Sequence, residues 1–211
     1  AATVPERPDA TDPVAVADLL RRSGIDVVAA AVCTTADEAA DAATTAGRFP
    51  VVVKVARSAH RSDTGGVRLG LADAAAVRAA AADLLAGTDA VLVSPQLTGV
   101  EVAVGALRDP SFGPVVMVGL GGIWVEVLDD VAFALAPLSH AQARDLLLGL
   151  RGAALLTGGR GTAAVDLDAL AAVVVRAGDL LATRPGVAGL DLNPVLASPT
   201  GAVAVDWKIT V

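Results

Sequence analysis

The side chains able to do chemistry in this sequence stand out because they interrupt apolar runs. Lys54 breaks the β-branched run from Val51 to Val55, and an ammonium there is costly to bury unless it meets an anion. A phosphate suits it, since an ammonium acts on phosphate as a compact point charge. A polar stretch from Ala56 to Thr64 and the pair Gly65-Gly66 follow before the next strand-like segment. A connection of about ten residues exceeds an ordinary hairpin turn and marks either a functional loop or an unstructured one. It holds His60, one of two histidines in the chain, with Arg57 and Arg61, and its glycines let the backbone approach a phosphate closely. His60 is either a phosphoryl acceptor or base, or a solvated loop histidine. Glu101 interrupts an apolar strand as Lys54 does; its carboxylate suits ribose hydroxyls, or is an edge-strand charge.

The C-terminal segment offers oxygen donors. Leu190 to Ala197 and Ala202 to Ile209 read as strands around the turn signal S-P-T-G. If Ala197 pairs with Ala202, Asn193 lies opposite Asp206, and Asp191 opposite Lys208. Opposed side chains share a face with Cβ atoms about 5 Å apart. Leu190, Leu192, Trp207 and Ile209 then take the other face, toward a core. An Asn carbonyl beside an Asp carboxylate suits a hard cation such as Mg²⁺, completed by water and substrate phosphates. A solvated face with a Lys208 to Asp191 pair is the alternative, and Pro194 signals a bulge or a slipped register.

The elements that must position these groups follow from periodicity and punctuation. Helices are expected over Pro13 to Ser23, from a cap at Thr34 or Thr35 to Gly47, over Ala72 to Leu85 with Asp73 as cap, over Ser139 to Leu150, and over Asp166 to Thr183 before Pro185. Strands are expected over Ile25 to Val32, Ala90 to Val93, Val100 to Leu107 and Val115 to Gly119. The proline in Ser94-Pro95-Gln96 suggests a boundary, giving a linker over 1–12, an N-terminal lobe over 13–93 and a C-terminal lobe over 94–211. The glycine cluster Gly119 to Gly122 does not open a helix after a strand, so it reads as a structural turn rather than a dinucleotide fingerprint. Glu126 and Asp130 read as solvated, and His140 as a surface residue in a capped first turn.

Composition excludes several classes. Net charge is -7 and the pI about 4.7, which argues against a nucleic-acid partner held by a basic stripe. Hydrophobic residues make up 54%, yet the charge-free run through Phe112 to Val125 is broken by glycines and a proline, so no membrane span is expected. The single cysteine, Cys33, allows no internal disulfide and points to the reducing cytoplasm. The opening residues lack a signal peptide's pattern, and with alanine first the chain reads as a piece of a longer protein.

Several motifs then coincide in one order: H-R-S-D-T-G-G-V (60–67), V-L-V-S-P-Q (91–96) with Glu101 following, F-G-P-V-V-M-V-G-L-G-G-I-W-V-E (112–126), L-T-G-G-R-G (156–161), L-D-L-N-P (190–194) and V-D-W-K (205–208). From about residue 13 to 211 the chain resembles the ATP-grasp domain of NDP-forming (ADP-forming) acyl-CoA synthetases, and more distantly the nucleotide-binding β subunit of succinyl-CoA synthetase. The resemblance implies an α+β ATP-grasp fold, two α+β lobes clasping ATP or ADP. It assigns Lys54 to phosphate, Gly65 and Gly66 to the glycine loop, Ser94 to the nucleotide hinge, Glu101 to ribose, and Asn193 with Asp206 to Mg²⁺. His60 matches the histidine that relays a phosphoryl group between the nucleotide and a CoA-binding domain or subunit. The chain departs from the family at Ser94, where an acid or glutamine is usual, at Arg61, usually lysine, and at Gly189, often acidic.

The expectation is a nucleotide-binding part of an acyl-CoA synthetase. No CoA-binding Rossmann unit and no second relay histidine are read here, so acyl-CoA synthesis would need a further part. The competing readings are a nucleotide-sensing module of a regulatory protein such as a fused acyltransferase, and a plain α/β interaction domain.

Overall fold

The structure, a computed structural model, describes residues 9–56, 65–121, 130–159 and 163–211. These residues form two units, one holding Thr11–Val14 and Val28–Leu97, the other Ala15–Val27 and Thr98–Val211. Helix α1 (Pro13–Arg22) comes first, and it buries Val16, Ala17, Leu19 and Leu20.

The Val28–Leu97 unit runs β1 (Ala31–Cys33), α2 (Ala36–Ala46), β2 (Val51–Val55), β3 (Val67–Leu71), α3 (Ala74–Leu85) and β4 (Val91–Pro95). Its antiparallel sheet has the order β1-β4-β2-β3. Capping fixes both helices. The Thr35 side chain accepts from Glu38 N, Gly47 closes α2 in the left-handed region at φ 63°, and Asp73 accepts from Ala76 N at the start of α3. Val51, Val53, Val91 and Val93 pack with Ala39, Ala43, Val77, Ala81 and Leu84, so one sheet face is sealed by the two helices.

The other unit continues with β5 (Val100–Asp109), β6 (Gly113–Leu120), β7 (Val131–Leu135), α4 (His140–Leu148), a 3₁₀ turn (Ala153–Leu155), α5 (Leu167–Thr183), β8 (Gly189–Ser198), β9 (Gly201–Ala204) and β10 (Trp207–Thr210). Among the described residues the sheet order is β10-β8-β5-β6-β7, with β9 paired to β8. Ser139 and Gln142 form a reciprocal capping box at α4, and Asp166 accepts from Ala169 N at α5. The apolar stripe of α5, from Leu170 through Val174 and Ala177 to Leu181, is buried against this sheet.

Three expectations change. The stretch from Ile25 to Val32 is not one strand: Val27 makes an isolated parallel bridge to Ala204, and only Ala31–Cys33 forms a ladder. The chain passes from one unit to the other between Val27 and Val28, so no single ladder takes the whole stretch. Strand β7 was not anticipated, and the last strand is split at Val205-Asp206. Glu126 and Gly122, the last residue of the glycine cluster, lie outside the described residues. Among the described residues no helix is long and apolar enough to cross a membrane.

Gly178 is a point where α5 packs tightly on its neighbours. A Cβ there would stand 2.9 Å from Ala136 Cβ, 3.0 Å from Val116 Cγ2 and 3.1 Å from Leu138 Cδ2. Gly178→Val is therefore expected to lower stability by about 1–3 kcal/mol through overpacking, despite the helix-propensity gain over glycine. Urea titration of both proteins checks this; a variant as stable as the parent would refute the close packing.

Candidate functional site

Lys54 is built into the middle of β2, opposite Leu92 on β4 and Val67 on β3. Its neighbours Val53 and Val55 point to the helix-packed side, so alternation sends Lys54 to the helix-free face. The residue is only 5% exposed, where an ammonium needs compensation. Ser94 opposes Val52 one row along and takes the same face, 6% exposed. The structure thus brings Lys54 and Ser94 together on one surface. Just past β2, Val55 N donates to Gly66 O at 2.9 Å, which sets the glycine pair at the Lys54 end of that face. Gly65 adopts φ +70°, a conformation that favours glycine, and no described residue lies within 4 Å of where its side chain would begin. His60 and Arg61 lie outside the described residues.

In the other unit, the β8 hairpin follows the expected pairing. Ala197 pairs with Ala202, and Asp191 with Lys208. Between these ladders Asn193 N donates to Asp206 O at 3.2 Å and Val205 N to Pro194 O at 3.0 Å. Asn193 and Asp206 are therefore opposed, as expected. Leu190, Leu192, Trp207 and Ile209 are buried, while Asp191, Asn193 and Lys208 are exposed and Asp206 half-buried.

The expected bulge at Pro194 is present. Val102 pairs with Val195 but Val104 with Leu192, so Asn193 and Pro194 together oppose Ala103. The Asn193-Pro194 peptide is cis. Beyond the bulge the alternation reverses, and Val195 and Ala197 turn to the buried side. The candidate oxygen donors sit at this reversal. Glu101, opposite Leu196 on β5, is exposed and shares the helix-free face, because Val102, Val104 and Ala106 are buried on the other. Its backbone is clamped: Glu101 O accepts from Gly121 N at 2.6 Å, and a Cβ on Gly121 would lie 2.7 Å from Glu101 Cβ.

Asp191 and Lys208 are opposed, yet no ion pair joins them. The Asp191 carboxyl is raised above its ordinary value of 3.8, first by loss of water and then by the Asp206 carboxylate, against the lowering pull of Lys208. Asp191 is exposed by surface area, so the repulsion from Asp206 is the better supported cause, since both strands place them on one face. Among the described residues no three His, Cys, Asp or Glu side chains gather as a metal cage. The oxygen-only set Asn193 and Asp206, in crowded negative surroundings, nevertheless fits Mg²⁺, which takes one or two protein ligands and leaves the rest to water and phosphate.

Asp130, expected to be solvated, is 6% exposed. Its carboxylate accepts from Arg151 N at 2.8 Å and Gly152 N at 2.9 Å, satisfying two amides at the 3₁₀ turn. His140 is tied down rather than loose, its Nε2 lying 3.0 Å from Asp168 O. Sequence reasoning placed Asp191 on the right face but gave it no role; two acidic positions converging at the Asn193-Asp206 row was the available signal.

The fold and these faces define a class: the ATP-grasp domain family matches residues 4–211, and the chain belongs to it. Among particular proteins, it is 34% identical to the acetate–CoA ligase [ADP-forming] I subunit beta of Pyrococcus furiosus, over 91% of this chain and 88% of that subunit. It is 34% identical to the acetate–CoA ligase [ADP-forming] I of Archaeoglobus fulgidus over 92% of this chain, but spans only 30% of that longer protein. Solved structures of acetyl-coenzyme A synthetase 1 from Ca. Korarchaeum cryptofilum are similar. The form holding coenzyme A and Ca-AMPCP has a TM-score of 0.86 at 36% identity, covering 92% of this chain and 90% of that one. The form holding coenzyme A and Mg-AMPPCP has a TM-score of 0.80 at 36% identity with the same coverage, and its phosphohistidine segment points towards the nucleotide binding site.

The raised Asp191 carboxyl has a signed consequence. The unfolded chain releases this proton near 3.8 and the folded chain at higher pH, so stability falls as pH rises through that interval and stays lower above it. Asp191→Asn removes the penalty. Its melting temperature is expected to exceed the parent's at neutral pH and to converge with it below pH 3.8. Melting curves from acid to neutral pH test this, and a variant less stable than the parent at pH 7 would contradict the crowding.

Proposed function

We propose that this chain is the nucleotide-binding, ATP-grasp part of an ADP-forming acyl-CoA synthetase, a ligase acting in the cytoplasm. It would relay a phosphoryl group between Mg-ADP/ATP and a CoA-binding domain or subunit. The observation that carries the reading is the opposed pair Asn193 and Asp206 at the kink of the β8 hairpin, two oxygen donors held level with each other by main-chain bonds on either side. Similarity to ADP-forming ligases over nine-tenths of the chain supports it.

In this reading Lys54 contacts the phosphates, and the backbone at Gly65-Gly66 closes on them. Glu101, held by its clamp to Gly121, accepts from the ribose hydroxyls. Asn193 and Asp206 hold Mg²⁺. Bound Mg²⁺ supplies neutralisation of phosphate charge and an in-line alignment of the transferring group. His60 accepts the phosphoryl: an imidazole nitrogen bonds to the γ-phosphorus as the bond to the β-phosphate oxygen breaks, and ADP leaves with that electron pair. Run backwards, phosphorylated His60 delivers its phosphoryl to ADP. The chain's own groups position and desolvate the phosphates, and the acyl chemistry belongs to the CoA-binding part.

Titration calorimetry tests the binding step. Mg-ADP and Mg-ATP are expected to bind, and Asn193→Ala or Asp206→Ala to weaken either by roughly tenfold or more, since each deletes one of few protein ligands. No heat with either nucleotide would reject the reading. Incubation with γ-labelled ATP should leave acid-labile phosphate on the parent and none on His60→Ala; binding without labelling would favour the nucleotide-sensing module instead.

A further inference from the structure

Where the chain enters β3, a main-chain group points in a direction that another residue sets. Gly66 is buried and its carbonyl accepts from Val55 N, yet its own N–H meets no acceptor among the described residues. Buried amides are nearly always paired, so this donor is one a ligand can take up.

Arg68 governs where that N–H points. It opposes Val53, so its side chain leaves β3 on the helix-packed face. There Nη2 donates to the Asp83 carboxylate on α3, while Nη1 donates to Gly65 O and lies 3.3 Å from Val67 O. A guanidinium is a rigid planar fork, so Asp83 holds its plane and the plane holds the Gly65 carbonyl. That carbonyl is drawn toward the helix side. In a planar trans peptide the C=O and the following N–H point opposite ways, which turns Gly66 N–H toward the helix-free face that carries Lys54. Two adjacent glycines, one at φ +70°, would otherwise leave this peptide free to rotate.

Resting on the function proposed above, we propose that Arg68, anchored by Asp83, is a positioning residue for the polyphosphate. It orients the Gly65-Gly66 peptide so that Gly66 N–H donates to a phosphate oxygen beside Lys54. Arg68 itself stays on the opposite face of the sheet and does not touch the nucleotide. Asp83 is exposed and Arg68 half-buried, and an ion pair of that kind adds little to folding.

The test is calorimetric titration with Mg-ADP of the parent, Asp83→Ala, Arg68→Ala, Arg68→Lys and the Arg68→Ala/Asp83→Ala double variant, with melting temperatures recorded for each. Asp83 is the decisive position, because deleting a carboxylate near an anion site would by charge alone tighten binding, whereas losing the anchor weakens it. Affinity is expected to fall about three- to tenfold in Asp83→Ala and about tenfold in Arg68→Ala, the scale of one hydrogen bond to a charged group. The double variant should bind no worse than Arg68→Ala, since Asp83 acts only through the guanidinium. Arg68→Lys keeps the charge without the fork and should lose as much as Arg68→Ala. Melting temperatures should stay within about 4 °C of the parent's. Affinity in Asp83→Ala at or above the parent's, additive losses in the double variant, full affinity in Arg68→Lys, or a larger fall in melting temperature would each overturn the inference while leaving nucleotide binding intact. Failure of the parent to bind Mg-ADP would instead sink the function on which it rests.

Discussion

The constraint that organises the candidate metal site is the burial of apolar side chains on both sides of a kink. On β8 the buried residues before and after it are Leu192 and Val195; on the partner strands they are Trp207 and Ala204. Two residues, not one, separate each pair. Strict alternation would turn one half of the hairpin inside out, so both strands insert an extra residue at the same level and the pairing register survives across it. Asn193 and Asp206 occupy those inserted levels. They are held by main-chain bonds on either side while being excluded from the core, which is how two polar side chains come to be fixed in place at little conformational cost.

Much of this was legible beforehand, for definite reasons. Helix starts were readable because Thr35, Asp73, Ser139 and Asp166 each accept from an amide three residues on. The hairpin register was readable because a short turn fixes the sum of paired positions, and one assumed pair therefore gave the rest. Lys54 was readable because a charge within a valine run has few explanations. The reversal at Pro194 was visible only as a warning. Knowing its outcome required knowing that Val195 and Ala204 share the core with Leu192, a tertiary fact that a period-two pattern cannot hold.

What escaped the sequence depends on long-range partners. Asp130 looked like a solvated carboxylate because nothing near it in the chain asks for an acceptor; the amides it serves come from residues 151 and 152. The stretch from Ile25 to Val32 has the composition of a strand throughout, but its two ends belong to different units. Strand β7, with the sequence V-A-F-A-L, is too short and too alanine-rich to separate from a helical segment by periodicity.

The distribution of polar burial follows one rule in both units. Faces packed on helices are apolar without exception at the strand centres: Val51, Val53, Val91 and Val93 in one sheet, Val102, Val104, Val116 and Val118 in the other. Exceptions to apolar patterning fall on the opposite faces, as Lys54 and Ser94 in the first sheet and Glu101, Asp191, Asn193 and Asp206 in the second. A sheet needs only one apolar face to be held by its helices, which leaves the other free to carry groups that do not favour folding. Asp191 shows the cost, since its carboxyl resists ionisation in the folded chain. Local violations retained on the face that stability does not require are what function at that face would demand.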